Sequence, residues 1–577
     1  MAPRLVAHRV LQTPGICSRF FSGWTFPRAR RPQIPFLSQP PQMKHQVRWQ
    51  TTKKSYWKSQ EIRDTVYYTS YMSAFSIIGW MLYLALDQEY VERFHPSPDD
   101  WTFWTRCNYR MAAERAHPKD PNTVINWIPM LTQTLKTIDR LESPDLDGDG
   151  VVDPIPVDLP PDPSIAQRAV YPKDITAKSE NWRRGYYDTL MLTAKAAEHV
   201  EGWVLDRKQR TFFSPQVVLG PSNPNPKPMP RSIYKQPLEE DCETGVLPEP
   251  SMLYEKILNT VGFTAREKVD AAMQYAAFLE YKGLPSDAME ALQRALKLTD
   301  KASSTSYKFQ IPYDSDTLVI PEPATPSANH LTVLTAMATL TARNGDLEKA
   351  LPILVSILRA RKQLPTSRKT LHYPERMNVE KPDTLLTAQE RFEKKFGPPP
   401  YPGRFPDGSS PPKRDAAERC EEAALNAYIG EIIFATGSQE SGLAWTREAV
   451  DVSEEQMHNI KESPSPGVQG WIPDRKEQDD SSYRTNALKH CEECLRTGLV
   501  NWKGMVERMN QIQEEETEKK NEEQKHKWIT WGARPAKVDG RWEAEIKVVE
   551  DRLKRAEKLF ELTIHRPSGW LDSLIGA

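Results

Sequence analysis

The sequence predicts an all-α protein in which a single transmembrane helix precedes an α-solenoid of helix pairs with long proline-rich loops. Three observations carry this expectation. The run Thr65–Leu86 contains no Asp, Glu, Lys or Arg, small residues recur at helical spacing around glycine turns in three later segments, and prolines crowd the stretches between them.

The apolar run is 22 residues long, roughly 33 Å as a helix at about 1.5 Å per residue, enough for the ~30 Å hydrocarbon core of a bilayer. Tyr67, Tyr68 and Tyr71 sit near one end and Trp80 and Tyr83 toward the other, where amphipathic rings favour the headgroup zone. A buried core helix is the competing reading, because several Ser, Thr and Tyr lower the hydrophobicity. Ser70 and Ala74 form a small-xxx-small pair able to pack on a partner helix, with lipid-facing placement the simpler account.

Residues 1–50 read as a mitochondrial transit peptide or disordered arm. Up to Lys58 there are seven Arg, four Lys and no acidic residue, and the first carboxylate is Glu61. An Arg-rich, acid-free start without one continuous apolar core is the pattern of mitochondrial import, not of secretion. Arg19-Phe20-Phe21-Ser22 and Val47-Arg48-Trp49-Gln50 offer processing points; a basic arm binding nucleic acid or anionic lipid is the alternative. Without these eleven basic residues the remainder carries 66 basic against 78 acidic residues, a net −12. No nucleic-acid partner is therefore expected of the body, since phosphate binding needs a basic face. Lys53, Lys54, Lys58 and Arg63 precede the span while Asp87, Glu89 and Glu92 follow it. The positive-inside rule then places the N-terminus in the matrix and the C-terminal body in the intermembrane space, across a single-pass inner-membrane anchor.

Roughly 490 residues follow the span, more than one core usually serves. Residues 99–208 read as a membrane-proximal helical region. In it Trp101, Trp104 and Trp127 are core knobs or headgroup contacts, and a helix from Asn181 carries Trp182, Tyr186, Leu190 and Ala194 on one side. Residues 209–250, with nine prolines, read as a linker whose PSNPNPKPMP stretch is a semi-rigid extended spacer. Residues 251–460 carry the array, interrupted by insertions at 301–329 and 365–413, and 480–577 form a C-terminal helical region. There a helix from about Tyr483 runs into a solvated charged tract, and a last helix from Trp542 covers the array's end.

Within the array, residues 272–298 give a helix, a turn at Gly283 and a second helix, and this resembles a tetratricopeptide (TPR) unit. Ala276 stands where the motif wants a small residue in its first helix, and Ala288 and Ala295 fill the close contacts of the second; Asp300 replaces the usual helix-ending proline. In 331–361, Ala338, Gly345 and Ala350 take the same three places, Leu354 and Ile357 pack inward, and Pro352 falls in a tolerant first turn. In a third unit ending at Val452, Gly430, Gly437 and Ala449 match, and Gly442 replaces the usual Ala. Three partial matches outweigh one.

Chemistry is sparse. Asp145, Asp147 and Asp149, with Gly150, imitate the start of a calcium loop, and Asp153 stands at its ninth position. Position 12 is Pro156 instead of the closing Glu, so an acidic turn is the simpler account. Of six cysteines only Cys491 and Cys494 are close, and CEEC in a helical stretch reads as two half-buried thiols ahead of a disulfide or metal pair, leaving stability to packing. There is no GxxxxGK[ST], GxSxG or HExxH, and the eleven histidines are scattered, so neither a catalytic residue nor a cofactor is expected.

An import arm, one span facing its body to the intermembrane space, and degenerate TPR units in this order resemble the fungal TPR adaptor of the mitochondrial inner-membrane i-AAA protease. The resemblance covers the chain from about Thr51 onward. It implies as partners the protease hexamer, a second membrane adaptor, the lipid bilayer, and unfolded or membrane-protein substrates that the adaptor delivers for quality control. Two other readings stand beside it: an inner-membrane respiratory-complex assembly factor, and an outer-membrane TPR preprotein receptor, which the long cleavable-looking arm disfavours.

Overall fold

The charge-free run lies inside one long helix, α1, over Lys53–Phe94. The computed structural model describes residues 53–117, 123–154, 165–229, 234–303, 311–365, 401, 407–462, 475–526 and 540–561. The basic arm through residue 52, with both processing points, lies outside them. By its contacts the chain divides into Met1–Leu82 and Tyr83–Ala577.

In the first unit every residue from Glu61 to Leu82 is exposed, and the stretch Gln60–Glu92 is long and apolar enough to cross a membrane. Its hydroxyls do not count against it. Thr65 and Thr69 donate to the carbonyls of Glu61 and Thr65, Ser70 to Tyr67, Ser73 to Ser70 and Ser76 to Met72, all within 2.9 Å. Each of these five hydroxyls is satisfied by its own helix, the condition lipid imposes. Ser70 and Ala74 are both exposed.

The second unit is mostly helical. As α1 ends, Val91 and Glu92 become buried, and Glu92 pairs with Arg106 and, at 3.4 Å, with Arg110 of α2 (Phe103–Ala116). There follow α3 (Trp127–Glu142), the single turn α4 (Ile165–Arg168) and α5 (Glu180–His199). Trp182, Tyr186, Leu190 and Ala194 of α5 are all buried, as their spacing predicts. The three tryptophans divide: Trp101 is core, Trp127 stacks on His199 at 3.8 Å, and Trp104 is exposed. Gly185 lets α5 approach Trp101, since a Cβ there would stand 2.6 Å from the indole.

A small antiparallel sheet corrects the all-α expectation. Its strands are β1 (Val204–Asp206) at the centre, β2 (Thr211–Phe213) and β3 (Cys242–Glu243). Buried Asp206 holds the β1–β2 turn by accepting from the backbone amides of Lys208 and Gln209 at 2.8 and 3.1 Å. The proline-rich stretch after β2 is likewise not an extended spacer over its described residues. Asn223 donates to the carbonyls of Pro215, Gln216 and Val218, and the Lys227 amide returns to Gln216 at 2.8 Å, folding the segment on itself.

From α6 (Pro250–Asn259) onward helices pack in chain order: α7 (Ala265–Tyr281), α8 (Pro285–Ser303), α9 (Ala328–Arg343), α10 (Leu347–Lys362), α11 (Ala416–Ala435), α12 (Gln439–Glu462), α13 (Arg475–His526) and α14 (Arg541–Glu561). One apolar core runs from Trp101 to Ile432, and a second gathers residues of α11 to α14. The charged tract expected after Tyr483 continues α13 without a break as far as His526, and α14 packs on α13.

Three details depart from the sequence reading. Pro352 is the sixth residue of α10, inside the helix and past the tolerant first turn. Asp300 does not end α8; the helix continues to Ser303, and the Asp300 carboxylate accepts from Tyr313 Oη at 2.7 Å and meets His330 Nε2 at 2.9 Å. Cys491 is no free thiol but is disulfide-bonded to Cys420, joining α13 to α11 across 71 residues of sequence, so packing is not alone in holding this region.

Candidate functional site at the edge of the helix pairs

The glycines singled out by spacing make the turns of the three pairs. Gly283, Gly345 and Gly437 have φ of +76°, +97° and +107°, a backbone region that costs other residues energy and glycine little. The amides around the first two reach back to the preceding helix, Leu284 to Leu279 O at 3.0 Å and Asp346 to Thr341 O at 3.1 Å, the pairing of a helix C-cap. The small residues stand at the contacts: Ala276, Ala288, Ala295, Ala338, Ala350 and Ala449 are all buried, with Leu354 and Ile357 beside them. In the third pair the approach is closest. A Cβ on Gly430 would lie 2.9 Å from Gly442 O, and one on Gly442 would lie 2.6 Å from Gly430 O, so backbone meets backbone.

One edge of these pairs is formed by the starts of α7 and α9. Thr264 and Glu267 make a reciprocal capping box on α7, and Ser327 caps α9. The end of the second insertion crosses this edge. Asp407 accepts the Ala265 amide at 3.0 Å and its carbonyl accepts Asn329 Nδ2 at 2.8 Å; the Asn329 and Ala328 amides then donate to Gly408 O and Ser410 O, each at 3.1 Å. Gly408 is required there, with φ +72° and a would-be Cβ 2.2 Å from Asn329 Oδ1. The insertion's two ends meet where the Arg414 amide donates to Pro365 O at 3.1 Å.

Tyr401 is a second anchor of the same insertion. It is buried, and its hydroxyl donates to Asp188 of α5 at 2.6 Å, while Arg184 reaches both Asp188 oxygens at 3.1 Å. Burial raises the Asp188 pKa above the usual carboxylate range, although Arg184 and the Tyr401 hydroxyl oppose it. Burial and the neighbouring Asp188 charge push the Tyr401 phenol far up. Sequence reasoning missed this anchor, because nothing in a proline-rich insertion marks one tyrosine as a plug.

A buried ion pair lies between α3, α5 and α6. Lys256 of α6 bonds Glu142 and, at 2.8 Å, Ala169 O; Tyr186 Oη donates to the same Glu142 at 2.7 Å. Burial lowers the Lys256 pKa against the pull of Glu142. A cavity of about 450 Å³ lies beside it, lined by Asp139, Glu142, Asp153, Ile165, Arg168 and Lys173 among others.

The four carboxylates of the calcium-loop likeness are not brought together. Asp147 is buried and accepts from the Thr102 amide at 2.9 Å and its hydroxyl at 2.8 Å, as well as from Thr105, which ties this loop to the start of α2. Asp153 pairs with Lys173, while Asp145 and Asp149 face solvent. Among the described residues no group of three or more His, Cys, Asp or Glu is placed to hold a metal ion. No protein-family model matches the chain, and no curated protein matches it.

Proposed function

We propose that this chain is a membrane-tethered adaptor of the TPR type, whose helix pairs α7/α8, α9/α10 and α11/α12 belong to a TPR-like solenoid. It sits in the mitochondrial inner membrane with its body in the intermembrane space and presents unfolded or membrane-protein substrates to the i-AAA protease beside a second adaptor. The observation that carries the reading is the recurrence, in three pairs packed in chain order, of a left-handed glycine turn flanked by buried small residues, all after an exposed apolar helix. Such pairs build an extended binding surface, and a tether raises its local concentration near membrane partners.

Two further features support it. The edge crossed by Asp407–Ser410 binds chain carbonyls through the amides at the start of α9 and the Asn329 side chain, and a carboxylate through the Ala265 amide, contacts that an unfolded client's backbone and acidic side chains could also make. A buried interhelical disulfide suits an oxidising compartment better than the matrix or cytosol.

The test is affinity purification from mitochondria of the full chain and of a chain lacking residues 65–86. The full chain is expected to bring down the protease and the shortened one to lose it. Copurification at normal yield without the tether, or recovery of respiratory-complex intermediates in place of the protease, overturns the proposal. Protease protection of the C-terminus in intact mitochondria, lost on outer-membrane rupture, checks the orientation.

A further inference from the structure

A third cysteine stands against the interhelical disulfide. Cys420 of α11 and Cys491 of α13 are both fully buried, with Cα atoms 5.2 Å apart. Cys494, one turn further along α13, is free and half-buried, and its Sγ lies 3.5 Å from the Cys420 carbonyl oxygen and 4.0 Å from His490 Nε2. His490 in turn meets Glu421 Oε1 at 3.0 Å, and Glu421 meets Arg361 Nη2 of α10 at 3.6 Å. A free thiol, a disulfide and an imidazole held by a carboxylate therefore share one turn of α13.

We propose that Cys494 is an exchange thiol, whose thiolate attacks Cys491 Sγ and converts the Cys420–Cys491 crosslink into a Cys491–Cys494 bond within α13. One S–S bond breaks and one forms. The Cys494 proton leaves to solvent, the departing Cys420 thiolate takes one up, and no oxidant or reductant is consumed. Positions i and i+3 of a helix face each other with Cβ atoms about 5–6 Å apart, so closing the bond draws that turn of α13 in to the roughly 3.5–4.5 Å between Cβ atoms that a disulfide needs.

The imidazole supplies the electrostatics. Hydrogen bonding to Cys494 and Glu421 holds His490 charged, with its pKa raised to about 10, so a cation stands beside the attacking sulfur. Arg361 and Glu421 from the neighbouring helices and Glu418, which pairs with Arg361, complete the charged surroundings. The consequence is structural: in one isomer α11 and α13 are covalently joined, while in the other packing, the Arg361–Glu421–His490 chain and the Asn501–Glu431 hydrogen bond connect them.

The experiment uses the full chain in detergent micelles, incubated at pH 8 with a reduced and oxidised glutathione mixture. Acid quenching, digestion with pepsin at low pH and mass mapping then report which cysteines are joined. Wild type is expected to yield Cys491–Cys494 peptides with Cys420 free, and Cys494→Ser to free Cys420 at least about tenfold less, since only the exchange thiol opens the buried bond. A Cys420→Ser chain is expected to close Cys491–Cys494 in oxidised glutathione alone. Cys420–Cys491 as the sole pairing in wild type, equal release of Cys420 in the Cys494→Ser chain, a Cys420–Cys494 product, or failure of the Cys420→Ser chain to close would each overturn the proposal. Far-UV circular dichroism of each variant confirms that the helices remain.

Discussion

Replacing Gly442 by Ala tests whether backbone contact closes the third helix pair. The new Cβ would stand 2.6 Å from Gly430 O, 2.6 Å from Phe434 N and 2.7 Å from Phe434 Cβ, against an ordinary contact of 3.4–4 Å. Two of these neighbours are backbone atoms of α11, so no rotamer change relieves them and the helices must part by several tenths of an ångström. Overpacking of this kind costs about 1–3 kcal/mol. Against the middle of that range, about 2 kcal/mol, the roughly 1 kcal/mol returned by removing a glycine from a helix leaves a net loss of about 1 kcal/mol. At about 2–4 °C per kcal/mol the melting temperature falls by roughly 2–4 °C. Gly504 of α13 is the control, because no atom lies within 4 Å of its would-be Cβ; Gly504→Ala is expected to hold or raise the melting temperature. Far-UV circular dichroism of the full chain in detergent reads both. If Gly442→Ala melts at or above wild type while Gly504→Ala behaves as stated, the close approach of α11 and α12 is wrong.

Three further outcomes are expected. Lys256→Met leaves Glu142 buried with its main partner gone and should cost about 3–5 kcal/mol in urea unfolding, with most of it recovered in the Lys256→Met, Glu142→Leu double variant. Tyr401→Phe removes the hydroxyl bonded to Asp188 and should cost about 1–2 kcal/mol, read as faster proteolysis of the second insertion; an unchanged rate would show that the anchor does not hold it. His490 has a folded pKa raised from 6.5 to about 10 by Cys494 and Glu421. The folded state binds the extra proton, so its stabilisation is complete below pH 6.5 and is lost as pH rises toward 10. The urea midpoint should fall across that window in wild type and flatten in His490→Gln.

The sequence showed most where one residue type has one structural use. Glycines at 283, 345 and 437 had to be turns because they end helices that cannot continue, and alanines at helical spacing beside them had to be contacts. That one helix is long and apolar enough to cross a membrane was legible from the lack of charge in Thr65–Leu86. The β1–β3 sheet was not, since its strands are two or three residues each, too short for an alternating pattern to register. Tyr401 and the Cys420–Cys491 bond were hidden for a different reason. Both are contacts between residues distant in sequence, 213 apart for Tyr401 and Asp188 and 71 for the cysteines, and local spacing says nothing about such pairs.

The position of the disulfide explains how the two apolar cores are joined. α11 serves both: Leu425, Ile429 and Ile432 belong to the core that runs back to Trp101, while Cys420 belongs to the one shared with α13 and α14. The first turns of α11 also carry Glu418 and Glu421, which receive Arg361 from α10 and His490 from α13. At this seam charge pairs and one S–S bond join the apolar contacts. In the chain-entropy account a bond closing a loop of 71 residues contributes roughly 4 kcal/mol, a large share of the about 5–15 kcal/mol that holds a domain folded. The helices α13 and α14 therefore depend on the oxidation state of Cys420 more than the pairs α7/α8 and α9/α10 do, because those pairs bury their own alanines and hold neither cysteine of the bond.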